Sequence, residues 1–439
     1  MLLLFGYPGY PEDIMLGRME ESRKHLDALG VSYTAAKPVI NLSGMFEARE
    51  EMRRATFDRI ICVVATWIEV THVCDLAYPY KDMPILLWCH ENLRAEGAPG
   101  YVSLGSVAAA GVLRQTFEEF GFRFKFVVGN PSDKKIERDI TAFSGACDAM
   151  ASLREARIGL VGYASMGMYT AMADHIKIKS FFGAEIAHVD QYSVLRGLDE
   201  IDSGAVEEVV RRIRADWEIG GNVRPGQLET TAKIYLRLKD LMKERALYSL
   251  AIKCQYEMSL EYNFSPCMAL SLLGSECPVC CEGDVHEIIS QMVLEKASRG
   301  KVTAYGDILH FNEDGVVCAA CGFAPRCFLR GPKPAIDCHT AIISGIMTTS
   351  PFREQQVTMA RLARAGAGFK MHLIKGKCEP LENFHEIGCP QYAGMTVRFE
   401  NKSVEDFKNE IMSQHYAIVE GDYLPELTEY CKLAGITAV

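Results

Sequence analysis

Residues 59–65 read RIICVVA, and the continuously apolar run from Ile60 to Ala65 decides the fold class. Similar runs occur at residues 2–5, 83–88 and 124–128, with segments of helical spacing between them. Strands that are apolar at every position are typical of parallel sheets covered by helices on both faces, whereas half-exposed strands alternate polar and apolar residues. Residues 1–152 are therefore predicted to form a Rossmann-like, doubly wound α/β domain.

The same pattern restarts further along the chain. It predicts strands at residues 157–162 and 248–253, and helices at residues 166–178 and 228–245. Residues 153–304 are accordingly predicted to form a second Rossmann-like domain with a parallel sheet.

The last third of the chain has a different sequence pattern. Short strands interrupted by Gly and Pro are predicted at residues 315–318, 371–374 and 395–399. Residues 305–439 are therefore predicted to form a β-rich, mixed C-terminal domain.

Bulk composition narrows the function classes. The chain has 439 residues, of which 49% are hydrophobic and 24% charged, which predicts two to four ordered domains. A net charge of −10 without long basic runs excludes nucleic acid as a partner, because binding it needs a basic footprint. No apolar stretch approaches the ~20 residues of a membrane-spanning helix, and no signal peptide is evident. We expect a cytoplasmic protein whose sixteen cysteines are reduced and mostly buried.

A carboxylate follows the predicted strand at residues 248–253, in the sequence Cys254-Gln255-Tyr256-Glu257. Open α/β sheets bind ligands at the carboxyl ends of their parallel strands. Glu257 is therefore a candidate ligand or base, and the alternative is a solvated loop charge.

Two further candidates lie at element boundaries. Asp284 precedes a predicted amphipathic helix at residues 287–296, where a carboxylate is also an ordinary helix cap, and Glu282 could do either job. His415 lies at a predicted helix-to-strand junction, although a lone histidine is often only structural. Two carboxylates and one imidazole would suit Mn²⁺, Mg²⁺ or Co²⁺ if the fold brings them together.

Several motifs together resemble the fucose isomerase and arabinose isomerase superfamily. They are LLWCHENL (86–93), GLVGYASMGMYTAMADHIKIKSFFGAEIAHVD (159–190), IKCQYEM (252–258), PCMALSLL (266–273), CEGDVHEII (281–289) and HYAIVEGDYLPELTEYCKLAGI (415–436). The resemblance implies two Rossmann-like domains followed by a β-rich domain. It also implies a homo-oligomer, a trimer or hexamer, in which a neighbouring subunit helps to close the active site.

The resemblance further implies metal ligands at Glu257, Asp284 and His415. Within the CEGD block, the arabinose-type pattern uses the position of Glu282 and the fucose-type pattern that of Asp284, and we prefer Asp284. The implied activity is aldose–ketose isomerisation with a divalent cation, Mn²⁺, Mg²⁺ or Co²⁺, and no organic cofactor.

In this chemistry, a metal that bridges the sugar's carbonyl oxygen and neighbouring hydroxyl stabilises the developing enediolate. A carboxylate moves the proton between C1 and C2, with Glu257 the expected base and Asp284 its partner. The expected substrate is a pentose, a deoxyhexose or a 6-substituted hexose such as sulfoquinovose.

Five further residues are candidate substrate contacts: Trp67, Trp88, His90, Arg330 and Glu382. The first three follow predicted strands, where aromatic residues are about as often packing residues. Arg330 and its neighbouring cations could bind an anionic group on the sugar. Glu382 could contact the substrate from the C-terminal domain.

Three alternatives stay open. Two CxxC pairs, Cys277–Cys280 and Cys318–Cys321, resemble a structural zinc site, although their 37-residue separation is unusually long. A nucleotide-dependent enzyme is disfavoured because the glycines at Gly6, Gly9, Gly162 and Gly167 lack the dinucleotide-binding spacing. A sugar-binding protein without turnover is the third, and an assay for ketose formation separates it from an isomerase.

Overall fold

The computed structural model describes residues 1–94, 97, 99–320, 322–339, 344–385 and 390–439. These form two compact units, Met1–Asp148 and Ala149–Val439. Both units contain a parallel sheet with helices, and the second also contains an antiparallel barrel. The α/β class and the β-rich C-terminal part agree with the sequence analysis, whereas the three-domain division at residues 152 and 304 stays a prediction.

The N-terminal unit is built on a parallel sheet. Its strands are β1 (Leu2–Phe5), β2 (Ile60–Val64), β3 (Ile85–Cys89), β4 (Leu93–Arg94), β5 (Tyr101–Val102) and β6 (Phe124–Val128). Its helices are α1 (Glu12–Ala28), α2 (Leu42–Arg54), α3 (Val70–Ala77), α4 (Ser106–Glu119) and α5 (Lys134–Glu155), which runs on into the second unit. Strands β1, β2, β3 and β6 pair in that order. The four apolar runs thus form the parallel sheet that they predict.

The second unit begins with another parallel sheet. Its strands are β7 (Arg157–Val161), β8 (Glu185–Val189), β10 (Ser249–Ile252) and β11 (Val279–Cys281), whereas the short strand β9 (Glu218–Ile219) belongs to a separate sheet. Its helices are α6 (His175–Phe182), α7 (Tyr192–Arg196), α8 (Ser203–Asp216), α9 (Gln227–Glu244), α10 (Cys267–Leu273) and α11 (Val285–Ala297). The strand order is β11-β10-β7-β8, so the chain changes direction between β7 and β10. Ligand sites of open parallel sheets lie at the carboxyl ends of the strands at such a switch point.

The predicted helix at residues 166–178 is wrong. Met166 has a left-handed φ of 50° within a single 3-10 turn, and α6 begins only at His175, where the Asp174 side chain caps it by accepting from the Lys177 backbone N–H. Met166 and Met172 are exposed rather than in the core. Their helical spacing therefore did not reflect a buried helix face.

Antiparallel strands close a barrel in the C-terminal part. The barrel strands are β12 (Thr303–Phe311), β13 (Gly315–Ala320), β16 (Gln355–Ala365), β17 (Gly368–Leu381), β18 (Ala393–Phe399) and β19 (His415–Glu420). Outside the barrel, β14 (Ala335–Cys338) and β15 (Ile346–Thr348) form a small sheet with β9, and β20 (Thr437–Ala438) pairs with β17. The helices of this part are α12 (Val404–Glu410) and α13 (Leu424–Ala434). The order β16-β19-β12-β13-β18-β17 closes on itself because β17 also pairs with β16. The register places His415 directly opposite Asp307.

Helix α11 connects the second parallel sheet to the barrel. Every residue from Val285 to Leu294 is buried, which is typical of a helix surrounded by protein on all sides. It contacts β10 and β11 on one side and β16 and β19 on the other. Asp284 caps its first turn, and the helix therefore fixes the position of this carboxylate relative to the barrel.

Among the described helices, none combines the length and the apolar character that crossing a bilayer requires.

The turn before α11 depends on a glycine. Gly283 has a φ of 69°, and a Cβ there would lie 2.3 Å from the Tyr163 carbonyl oxygen. Gly300 has a similar φ of 88°, but a Cβ there would meet nothing within 4 Å. A comparison of alanine at Gly283 and at Gly300 therefore separates the free-energy cost of a positive φ from the cost of a steric clash.

We expect Gly300→Ala to lower the free energy of unfolding by about 1 kcal/mol and Gly283→Ala by about 3 kcal/mol, because only the second adds a backbone clash to an unfavourable φ. Urea unfolding followed by circular dichroism measures both. Equal losses would show that the segment at Tyr163 does not pack tightly on this turn.

Candidate active site

Glu257 lies at the carboxyl edge of the second parallel sheet, just after β10. Tyr256 has a left-handed φ of 64°, and Glu257 then begins a short π-type turn. The Tyr163 hydroxyl donates to Glu257 Oε1 at 3.0 Å, and the Lys253 ammonium pairs with Oε2. The Glu257 side chain is 37% exposed. The turn thus presents a tethered carboxylate to solvent at the switch point.

Glu257 lines an open pocket of about 490 Å³. The other lining residues follow β7 or end and follow β8: Gly162, Tyr163, His188, Val189, Asp190 and Gln191. Among them, His188 is held by a hydrogen bond of 3.0 Å between its Nε2 and His175 Nδ1. Hydroxyl, imidazole, carboxylate and amide groups therefore converge beside Glu257, as a polyhydroxylated ligand requires.

His415 forms the centre of a second, buried group. Its Nδ1 lies 2.8 Å from Asp284 Oδ2, while its Nε2 lies 3.2 Å from Glu282 Oε2 and 3.2 Å from Asp307 Oδ1. Burial alone would lower the pKa of His415, but hydrogen bonds to Asp284, Asp307 and Glu282 raise it well above its usual value. The structure thus brings His415 together with both carboxylates of the CEGD block.

Asp307 was missed in the sequence analysis. It lies on β12, and only the pairing of β12 with β19 puts it beside His415. Its buried Oδ1 lies 3.2 Å from His415 Nε2 and has no other hydrogen-bond partner among the described residues. No motif around Asp307 points to this contact, since it depends on strand register between segments about 100 residues apart.

The Asp284 carboxylate is enclosed by donors. Arg361 Nη1 donates to its Oδ2 at 2.7 Å and Nη2 to its Oδ1 at 3.2 Å, and the Glu287 backbone N–H donates to Oδ1 at 3.0 Å. Asp284 and Arg361 are both fully buried. Burial favours the neutral acid, but Arg361 and His415 outweigh it and lower the pKa of Asp284. Asp284 therefore caps α11, binds arginine and orients His415 at the same time.

The loop after β7 links the Glu257 pocket to the His415 cluster. Tyr163 contacts Glu257 through its hydroxyl, and two residues later the Ser165 backbone N–H donates to the Glu282 carbonyl oxygen at 2.8 Å. Gly283 packs against the Tyr163 carbonyl. Glu257 and Glu282 therefore flank the same three-residue segment at the carboxyl edge of the sheet.

The cysteines group differently from the two CxxC pairs of the alternative zinc site. Within the described part of the chain, the thiols of Cys254 and Cys281 and a carboxylate oxygen of Glu282 lie within 4.8 Å of one another. Cys280 instead donates to the Asp284 carbonyl oxygen at 3.2 Å. Cys321, the last residue of the second CxxC pair, lies outside the described residues.

The donor types around His415, two carboxylate oxygens and an imidazole, are those of a hard divalent cation. Glu282 Oε2 and Asp307 Oδ1 each lie 3.2 Å from His415 Nε2, close to the ~3.0 Å between neighbouring ligands in an octahedral shell. The three donor atoms do not all lie within 4.8 Å of one another, so the carboxylates would have to move toward a shared cation. Asp307 Oδ1, whose one polar contact among the described residues is His415 Nε2, has a buried lone pair that a cation would satisfy. Carboxylate oxygen with imidazole suits Mn²⁺ or Mg²⁺ better than a thiol set does.

The aromatic candidates of the N-terminal unit have packing contacts there. Trp88 is fully buried and its indole N–H donates to the Gly129 carbonyl at 2.9 Å. His90 is buried too, with Arg18 Nε 2.9 Å from its Nδ1, and burial followed by the Arg18 charge lowers the pKa of His90 to about 3. Trp67 is half-buried against the same core. These contacts favour packing, and a role in sugar binding stays a prediction.

Arg330 and Glu382, the other two candidate substrate residues, form an ion pair with each other. Their side chains are 53% and 45% exposed. Arg330 therefore already has an anionic partner at the surface, and its assignment to an anionic substrate group also stays a prediction.

Removal of Arg361 should destabilise the second unit strongly. Arg361→Met leaves the buried Asp284 carboxylate without its cation, so we expect a loss of about 3–5 kcal/mol in the free energy of unfolding. The control is Arg353→Met, which breaks a solvent-exposed pair with Glu420 and should cost less than about 1 kcal/mol. Denaturant unfolding compares them, and similar losses would contradict the buried pair.

No protein-family model matches the chain. The chain is similar to proteins named sulfoquinovose isomerase. The protein from Alkalicoccus urumqiensis is 23% identical over 379 residues, which cover 82% of this chain and 80% of that protein. Those from Priestia aryabhattai and Priestia megaterium are each 23% identical over 371 residues, which cover 81% of this chain and 80% of theirs. The similarity supports the isomerase class expected from the motifs, and the link to fucose and arabinose isomerases stays a prediction.

Proposed function

We propose that the protein is a metal-dependent aldose–ketose isomerase that interconverts sulfoquinovose and its ketose. The observation that carries the proposal is the convergence of Glu282, Asp307 and His415 at the carboxyl edge of a parallel sheet, beside the pocket that Glu257 lines. Similarity to sulfoquinovose isomerases over four fifths of the chain supports the choice of substrate. We also propose that the protein is cytoplasmic.

We infer a ligand set of Glu282, Asp307 and His415, with Asp284 next to it rather than in it. Glu257, whose two oxygens accept from Lys253 and Tyr163, serves as the base rather than as a ligand. Both Asp284 oxygens already accept from Arg361, and a second cation on them would be repelled by the guanidinium. His415 Nε2 faces Glu282, so its Nδ1–H is left to donate to Asp284. A carboxylate that orients a metal-bound histidine in this way is a common arrangement.

The chain's own residues can carry out the proton transfer. Bound Mn²⁺, Mg²⁺ or Co²⁺ would polarise the sugar's carbonyl and neighbouring hydroxyl. Glu257 removes the proton from C2 of the open-chain aldose and returns it to C1, while the O2 hydroxyl proton passes to O1, so that the aldose and ketose are isomers. Asp284 has no exposed surface in the pocket, so Glu257 alone serves as base in this proposal.

The proposal also includes recognition of the sulfonate group of the substrate. The sulfonate needs a cation, and Arg330 would have to exchange Glu382 for the substrate.

Tyr256, Leu260 and Tyr262 are exposed beside Glu257. Such apolar surface around a site fits a homo-oligomer, a trimer or hexamer, in which a neighbouring subunit covers the pocket.

The first test is turnover. With Mn²⁺ present, the purified protein should convert sulfoquinovose to a ketose. NMR in D₂O should show deuterium at C1 in the fraction of turnovers in which the 37% exposed Glu257 carboxyl exchanges with solvent before it returns the proton. A chelator should abolish the activity and Mn²⁺ restore it. Glu257→Gln should bind the sugar without turnover, whereas Glu261→Gln, an exposed neighbour on the same turn, should behave like wild type. Binding without any turnover in the wild type would favour a sugar-binding protein instead.

The second test separates Glu282 from Asp284 by Mn²⁺ affinity. Glu282→Gln removes a direct ligand and should weaken Mn²⁺ binding by more than about 100-fold, whereas Asp284→Asn disturbs only the histidine and should weaken it by about 10-fold. Electron paramagnetic resonance titration of free Mn²⁺ measures both. The reverse order would return Asp284 to the ligand set.

A further inference from the structure

Lys253 is a fully buried lysine one residue beyond β10. Its backbone N–H continues the sheet by donating to the Val161 carbonyl at 2.9 Å, and its own carbonyl accepts from the Gln191 side chain. Its side chain is 0% exposed, although lysines are rarely buried without a reason. These two backbone hydrogen bonds fix the position of the Lys253 Cα relative to the sheet. The direction of the side chain is therefore set by the sheet.

The Lys253 ammonium has a complete set of partners at the pocket. It pairs with Glu257, donates to the Tyr163 hydroxyl at 2.9 Å and lies 4.0 Å from the centroid of the Tyr163 ring. The Tyr256 ring centroid is 5.2 Å away. A buried ammonium is tolerated only when it is paired, and Glu257 is the only carboxylate in an ion pair with it among the described residues.

The same contacts immobilise Glu257. One carboxylate oxygen accepts from Lys253 and the other from Tyr163, so the side chain is held at both oxygens. A free glutamate on a surface turn would lose rotamer entropy on adopting one orientation. Lys253 and Tyr163 meet this cost before a substrate binds, and a base that is already oriented reacts faster.

We propose that Lys253 is a positioning residue that holds Glu257 in its proton-transferring orientation, with the Tyr163 hydroxyl as the second point of attachment. This inference rests on the proposed function of Glu257 as the base. It assigns to Lys253 a role in kcat rather than in binding the sugar, because the buried ammonium lies behind the carboxylate that lines the pocket.

The chain contains a matched control away from this pocket. Lys239 pairs with Glu276 at 2.7 Å and contacts the Tyr235 hydroxyl at 3.2 Å and its ring at 5.2 Å, which repeats the lysine, glutamate and tyrosine arrangement. The Lys239 side chain is 44% exposed, and its partners are not among the residues that line the Glu257 pocket. Lys239→Met therefore removes the same chemistry without touching the site.

The experiment compares steady-state kinetics of the full-length Mn²⁺-loaded variants on sulfoquinovose. We expect Lys253→Met to lower kcat by about 10- to 100-fold with KM within about threefold of wild type, as a displaced base predicts. The kinetic isotope effect on kcat with C2-deuterated substrate should rise, since proton transfer becomes slower than the other steps. Tyr163→Phe should cause a smaller change in the same direction, and Lys239→Met none.

Each outcome has a distinct meaning. An active wild type with unchanged kcat and isotope effect in Lys253→Met overturns the positioning role and leaves the isomerase intact. An inactive wild type overturns the proposed function itself. If Lys253→Met does not fold, as judged by circular dichroism, Tyr163→Phe decides, because its hydroxyl belongs to a ring that is 56% exposed. A Tyr163→Phe enzyme with wild-type kcat and isotope effect would then overturn the inference.

Discussion

The buried ion pair between Arg361 and Asp284 is the constraint on which the site depends. Arg361 comes from a barrel strand and Asp284 from the first turn of α11, so their two hydrogen bonds join the barrel to the second parallel sheet. Arg361 also donates to the Thr170 carbonyl at 3.0 Å, which ties the loop after β7 to the same point. Three separate segments therefore meet at one guanidinium, and His415 takes its orientation from the carboxylate that this guanidinium holds.

The sequence predicted those parts of the structure that depend on local chemistry. Continuous apolar runs identified the parallel strands, and the position of Glu257 after such a strand placed it at the ligand-binding edge. Asp284 was recognised both as a helix cap and as a candidate ligand, and the cap is what the structure describes. These features need only short stretches of chain, because strand and cap signals are encoded within a few residues.

The rest depends on pairing between distant segments. Asp307 and His415 face each other because of the register between β12 and β19, and no local pattern fixes that register. The role of Arg361 was missed for the same reason. The predicted helix over residues 166–178 failed because methionines at helical spacing also occur in an exposed loop, and only the Asp174 cap marks the true start of α6. Spacing alone could not distinguish these cases.

Charge balance determines which cation could replace the proton on His415. Glu282, Asp284, Glu287 and Asp307 are buried around it, with Arg361 as the cation that the structure supplies. Burial raises the pKa of Glu287 to about 8, so this carboxyl is neutral at pH 7 and three negative charges remain. Arg361 and a protonated His415 offset two of them, whereas a His415 that coordinates a metal is neutral and leaves Arg361 to offset one. A divalent cation beside Glu282 and Asp307 would neutralise the other two, whereas a monovalent ion would leave a buried charge uncompensated.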